Sequence, residues 1–296
     1  MSNHTSRGGR PRSTSSTGAL RATYKCHVFD LPTMWQTLSD YSIYLTIWLC
    51  CLHRQTDIQA LSPTTLLTLQ FAAYWVLGAF CAALDLSQTD RWRVELPRSD
   101  GLTYKQILPQ VLSTHAFVTA GSWFYATTLV TDWDDRVLGA AEWWGKLTLV
   151  FFLFDLLFYC GHRAMHHKLL YKHMHKLHHQ SLAAMGISGY YMTWSDACLE
   201  FLVPTLVPFF VVGHNKSLLL ATVLVGQLNG VVSHSGHRLP CFPYTTAHLD
   251  HHLQLQVNYG IGLLDWLLQT SSSGEGRAQV DAAVVSVSAA TTTPSR

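Results

Sequence analysis

Six apolar stretches restrict this chain more than any other feature. They run over residues 33–52, 64–84, 108–130, 144–161, 197–213 and 217–233. Each approaches the ~20 residues that a helix needs to cross the hydrocarbon core of a bilayer. Open strand edges leave backbone N–H and C=O groups without partners in lipid, so runs of this length predict helices. Composition points the same way: 13% of the residues are charged and 48% are hydrophobic, whereas a soluble domain carries about 25% charged residues. The expected fold class is all-α, a polytopic membrane helical bundle.

The last two stretches are separated only by His214-Asn215-Lys216. They predict a hairpin that leaves the membrane on the side it entered, and six crossings put both termini on one face. Basic residues identify that face as cytosolic. The inner segments hold Arg7, Arg10, Arg12, Arg21 and Lys25, then Arg91, Arg93, Arg98 and Lys105, then Arg163, Lys168, Lys172 and Lys176, then Arg238, Arg277 and Arg296. The outer loops hold only Arg54, Arg136 and Lys216, with Lys146 at a span edge. The Ser/Thr/Gly-rich start carries arginines and no acid, the look of either a transit peptide or a cytoplasmic tail, and the topology favours the tail. The expected organisation is a disordered basic tail over 1–30, transmembrane helices over 31–143, a catalytic domain over 144–269 and a disordered tail over 270–296.

A net charge of +2 and aromatics buried in apolar runs give no footprint for nucleic acid. The seven cysteines are scattered with no C-x-x-C, so neither a disulfide framework nor a cysteine zinc site is expected.

Histidine carries the chemistry. Eight of the 17 histidines fall in three tight clusters, H-R-A-M-H (His162, His166), H-K-L-H-H (His175, His178, His179) and H-L-D-H-H (His248, His251, His252). Positions i, i+3 and i+4 share one face of a helix. Three such faces that converge enclose a metal pair, and imidazole suits iron, zinc, copper and nickel. A solvated His-rich tract explains residues 162–179 but not the same H-x-x-H-H spacing some seventy residues later. His234 closes the returning span on the same side, and His237 follows as an additional candidate ligand. His167 and His173 point off the ligand face. Isolated His4, His27, His53, His115 and His214 read as ordinary polar or core residues. Asp155, inside F-F-L-F-D-L-L-F-Y-C, is costly in a span. It is expected to accept the spare N–H of a ligand histidine, orienting the ring and raising its basicity. The stretch N-Y-G-I-G-L-L-D-W-L-L after the third cluster suits an amphipathic segment at the bilayer surface.

Together D-L-L-F-Y-C-G-H-R-A-M-H-H, L-Y-K-H-M-H-K-L-H-H, H-S-G-H-R-L-P, H-L-D-H-H and N-Y-G-I-G-L-L-D-W-L-L-Q-T resemble the fatty acid hydroxylase/sterol desaturase superfamily, over roughly Lys146 to Thr270. The resemblance implies a multi-pass endoplasmic reticulum enzyme with a cytosol-facing, His-rich metal-binding cap. The implied cofactor is two iron ions, or zinc in a purified form. The implied ligands are His162, His166, His175, His178, His179, His234, His248, His251 and His252. His237 stands where the family commonly has Tyr. The implied activity is dioxygen-dependent hydroxylation or desaturation of a sterol or long acyl chain drawn from the bilayer. Electrons would come from a cytochrome b-type or NAD(P)H reductase donor. Two other readings stand beside it: a membrane metal transporter, whose polar ligands would line a path through several spans, and a non-catalytic lipid-binding relative.

Overall fold

The computed structural model describes residues 39–87, 102–181, 185–243 and 247–272. The expected N-terminal tail, the part of the expected C-terminal tail beyond Ser272, and residues 33–38 of the first expected span lie outside the described residues. So do the basic residues before position 30, those at 91–98 and those after 272.

All regular secondary structure among the described residues is helical: α1 (Ser42–His53), α2 (Gln55–Gln59), α3 (Pro63–Leu86), α4 (Tyr104–Phe124), α5 (Ala140–Met165), α6 (Lys168–Met174), α7 (Trp194–Val212), α8 (Lys216–Ser235), α9 (Ala247–Gln254) and α10 (Leu263–Leu267). Local chemistry starts the long ones. Ser62 caps α3 by accepting from Thr65 N, with Pro63 in the first turn, where its missing N–H costs nothing. Thr103 and Gln106 form a capping box on α4. Asn215 accepts from Ser217 N and Leu218 N at the head of α8.

Four helices, α3, α5, α7 and α8, are long and apolar enough to cross a membrane. The other two expected spans fall short for different reasons. The described helix α1 has 12 residues. Helix α4 has 21 residues but includes Lys105, Gln106, Gln110, Thr114 and His115. Its polar face is used internally, because Gln110 and Thr114 both donate to Met192 O. Helix α7 is irregular. Cys198–Leu202 form a π-helical turn, and Pro204 and Pro208 remove two N–H donors further on.

Loop contacts define the two ends of the bundle. At one end Gln55 exchanges hydrogen bonds with the backbone of Leu138, Asn215 donates to Asp134 O, and Lys216 donates to Gln59 O. At the other end Ile43 N meets Cys241 O, and His237 meets Asp85. Successive long segments therefore alternate in direction, and the three histidine clusters share the second end. One core cluster surrounds Trp143, Phe209 and Leu218. A second, around Tyr74, Tyr190 and Met192, lies between α3, α4 and α8 on the histidine side. Apolar side chains such as Phe80, Phe152 and Phe210 are exposed on the outside of the long helices, as lipid contact requires. The buried polars of α8 find partners: Gln227 and Tyr190 bond each other, and Asn229 accepts from Tyr44.

Candidate metal centre

Each segment delivers its imidazoles from a different kind of local structure. His162 lies in the last turn of α5, and His166 is the residue that caps it. His175 ends α6, and His178 and His179 begin a 3-10 turn. His234 is in the last turn of α8, and His248, His251 and His252 lie on α9. The nine rings meet in two adjoining groups. His162, His166, His175, His179 and His251 form one; His178, His234, His248 and His252 form the other. The ring centroids of His179 and His252, one from each group, are 4.6 Å apart.

The H-x-x-H-H clusters do not each serve one site, as a single helical face would. His175 and His179 enter the five-histidine group while His178 enters the other. On α9 the division is reversed, with His251 in the five-histidine group and His248 and His252 in the four-histidine group.

Ring orientation is set by what each Nδ1 meets. His162 Nδ1 lies 2.7 Å from Tyr259 O, His251 Nδ1 2.6 Å from Val257 O, and His234 Nδ1 2.7 Å from Gly230 O. A carbonyl only accepts, so in each the proton sits on Nδ1 and Nε2 presents a bare lone pair. His175 Nδ1 is 2.9 Å from the buried carboxylate of Asp196, which fixes the same tautomer. The Nε2 atoms then converge. His162 and His175 are 3.0 Å apart, His166 and His251 3.1 Å, His179 and His251 3.2 Å, and His234 and His248 2.8 Å. Bare nitrogens at such distances repel unless a cation lies among them. Metal–nitrogen bonds of ~2.0–2.1 Å put neighbouring ligand nitrogens about 3.0–3.4 Å apart, which matches. The donor set fits a divalent transition metal in each group.

Protons are poor candidates for that cation. Burial, with help from neighbouring imidazoles, pushes His179 down to about 2 and His166 down to about 3. Burial pushes His251 down to about 4. Burial and the crowd of rings hold His175, His178, His248 and His252 well below the ordinary histidine range.

Asp155 does not meet an imidazole, which corrects the expected contact. Its two oxygens accept from Ile261 N at 2.7 Å and Leu264 N at 2.9 Å. Asp265 accepts from Tyr259 N and Gly260 N on the same loop. The loop so held presents Tyr259 O to His162, so Asp155 reaches the ring through the backbone. A Cβ on Gly260 would collide with Asp155 Oδ1, which is why glycine stands there. The loop also anchors the end of the described chain: Asn258 N donates to Thr270 O, and Ser272 Oγ donates to Asp250. The segment expected to be a free tail from 270 is thus tied down through Ser272. Beyond the loop Ile261, Leu263, Trp266, Leu267 and Leu268 are exposed, Trp266 at 70%.

His237 joins neither group; its Nε2 is 2.9 Å from Asp85 Oδ1. His167 and His173 are exposed and outside both groups. His115 is buried, stacked on Tyr190 and Phe71. The sequence reading passed over Asp196 and Glu200. The signal was present, since both acids lie at or in an apolar span, the argument that had singled out Asp155.

Comparison with known proteins agrees with the arrangement. The fatty acid hydroxylase family matches residues 147–270. Human fatty acid hydroxylase domain-containing protein 2 is 27% identical over 190 residues, 62% of this chain and 57% of that protein. The chain thus spans little more than half of that relative's length. Fatty acid hydroxylase ahd1 of Mycosarcoma maydis is 25% identical over 288 residues, 89% of this chain and 73% of its own. Lathosterol oxidase of Rattus norvegicus is 32% identical over 121 residues, 38% of this chain and 40% of that enzyme. No solved structure matches the chain. All nine grouped histidines fall inside the matched region, and the chain belongs to the fatty acid hydroxylase/sterol desaturase superfamily.

Proposed function

We propose that this protein is a membrane-bound oxygenase that hydroxylates or desaturates a lipid, a sterol or a long acyl chain. In this reading His162, His166, His175, His179 and His251 hold one iron ion, and His178, His234, His248 and His252 hold a second. The observation that carries it is the set of bare Nε2 atoms directed at one another, each held in that tautomer by a carbonyl or carboxylate behind the ring. Residues 31–143 act as membrane anchor and 144–269 as the catalytic domain, with tails on either side. The site and both termini face the cytosol from the endoplasmic reticulum.

The ion pair supplies the activation of dioxygen against an unactivated C–H bond, with electrons from a cytochrome b-type or NAD(P)H reductase donor. The protein's own residues do the rest. Tyr259 O, Val257 O, Gly230 O and Asp196 keep four ring protons away from the site, so those imidazoles stay neutral donors. The second core cluster packs against the histidine end from the membrane side and keeps bulk water out. The exposed strip around Trp266 lies on the surface next to the clasped loop, at the depth where a lipid enters sideways from the bilayer.

The test is lipid analysis of a yeast host expressing the chain, with metal content measured on the purified protein. An oxidised lipid absent from control cells is expected. His178→Ala and His251→Ala are expected to abolish it while leaving membrane insertion intact. Product from either variant in microsomes overturns the assignment. Metal flux into vesicles with no lipid product favours a transporter, and neither activity favours a non-catalytic lipid-binding relative.

A further inference from the structure

We propose that Glu200 is an oxygen ligand of the ion in the five-histidine group, so that the two ion positions differ in charge and in donor type. This inference rests on the metal reading above.

Glu200 is 4% exposed, and its Oε1 has no hydrogen-bond partner. That oxygen lies 3.5 Å from His162 Nε2 and 3.4 Å from His175 Nδ1. Neither nitrogen can satisfy it. The proton of His162 is on Nδ1, held by Tyr259 O, so Nε2 offers Glu200 only a lone pair. The proton of His175 is already given to Asp196 at 2.9 Å. A carboxylate oxygen facing a bare nitrogen repels it unless a cation sits between them. Among the described residues no Lys or Arg forms an ion pair with Glu200 or Asp196; their close charged-group contacts are histidines. An uncompensated carboxylate in such a place costs several kcal/mol at least, and a divalent ion removes that cost.

The backbone is shaped to deliver this side chain. Glu200 is the middle residue of the π-helical turn in α7. Such turns recur at functional sites because the extra residue redirects side chains that a regular helix would aim elsewhere. The turn crosses α5 at Gly161, where a Cβ would come within 3.3 Å of Leu199 O. That close approach sets Glu200 beside His162, the neighbour of Gly161 in sequence. Asp196, on the same helix, acts differently: it touches His175 at Nδ1, the side away from the converging nitrogens, and is a positioning residue.

The chemical consequence is an unequal pair. Four neutral imidazoles leave the full ionic charge on the second ion. A carboxylate lowers the net charge of the first and adds a hard donor, which favours iron or manganese over the softer metals.

The test uses the full chain, purified in detergent and loaded with cobalt(II) as a spectroscopic probe. Wild type, Glu200→Gln and Asp196→Asn are compared for ions per chain under chelator challenge and for the visible ligand-field spectrum. Glu200→Gln is expected to shift the bands of one cobalt and to weaken its retention about tenfold or more. Asp196→Asn is expected to weaken retention 10–100-fold, as loss of a histidine's outer partner does, with band positions unchanged. Bands in Glu200→Gln that superimpose on wild type overturn the proposal, whatever the retention. If Glu200→Gln does not accumulate, Glu200→Asp serves: withdrawing the carboxylate by one methylene should shift the same bands, and superimposable spectra again overturn it. A wild-type protein that takes up no metal refutes the broader reading instead.

Discussion

Asp155 and Asp265 grip one loop from two sides: Asp155 takes the N–H groups of Ile261 and Leu264, and Asp265 takes those of Tyr259 and Gly260. The carbonyl of Tyr259 then stands 2.7 Å from His162 Nδ1. Asp155→Ala leaves two buried amides without acceptors, at about 1–3 kcal/mol each. It also frees the carbonyl that orients His162. The expected outcome is a 10–100-fold loss of metal affinity, read by elemental analysis after chelator challenge. Gly260→Ala should copy this loss, because its methyl occupies the place of Asp155 Oδ1.

The two groups are unequal in number, five imidazoles against four. His248→Ala reduces the smaller group to three, while His166→Ala leaves four in the larger. Under the same chelator, His248→Ala is expected to lose about one ion per chain and His166→Ala appreciably less. Equal losses would contradict the division into two positions.

His237 offers the opposite control. It lies outside both groups and bonds Asp85, so His237→Ala should leave ions per chain unchanged. Its expected effect is on stability, about 1–3 kcal/mol for a buried bond broken on one side. Thermal melts alongside metal analysis separate the two.

The rings predict a pH dependence for the metal-free protein. An imidazole in an unfolded chain titrates near 6.5, whereas burial pushes His166 down to about 3, His179 to about 2 and His251 to about 4. Between pH 6.5 and 4 the unfolded chain binds protons that the folded one refuses. Stability therefore falls as pH drops through that window and is intact above it, by about 1.4 kcal/mol per ring per pH unit at most. Melting temperatures should be alike at pH 7 and 8 and clearly lower at pH 5. A flat profile would mean that the rings are not held neutral in the fold.

Much of this was legible in the sequence. Apolar runs placed the long helices, and the hairpin at His214 put all three histidine clusters at one end of the bundle. Helix α4 was harder to read as a span because its polar residues are spent on Met192 O, a partner 78 to 82 residues away. The nine grouped histidines were visible as clusters, but their division was not. Which ring of an H-x-x-H-H triplet goes to which group depends on how α6, α8 and α9 are docked. Asp155 was correctly marked as unusual, yet its partners are backbone amides, which carry no sequence signature.

The crossed use of the two triplets has a consequence for biogenesis. No short stretch of chain owns a site of its own, since each triplet lends nitrogens to both positions. Until the ribosome has released His248, His251 and His252 and α9 has docked, neither position has its full complement. Ion capture is thereby made a late event, reserved for a chain whose membrane helices are already in place.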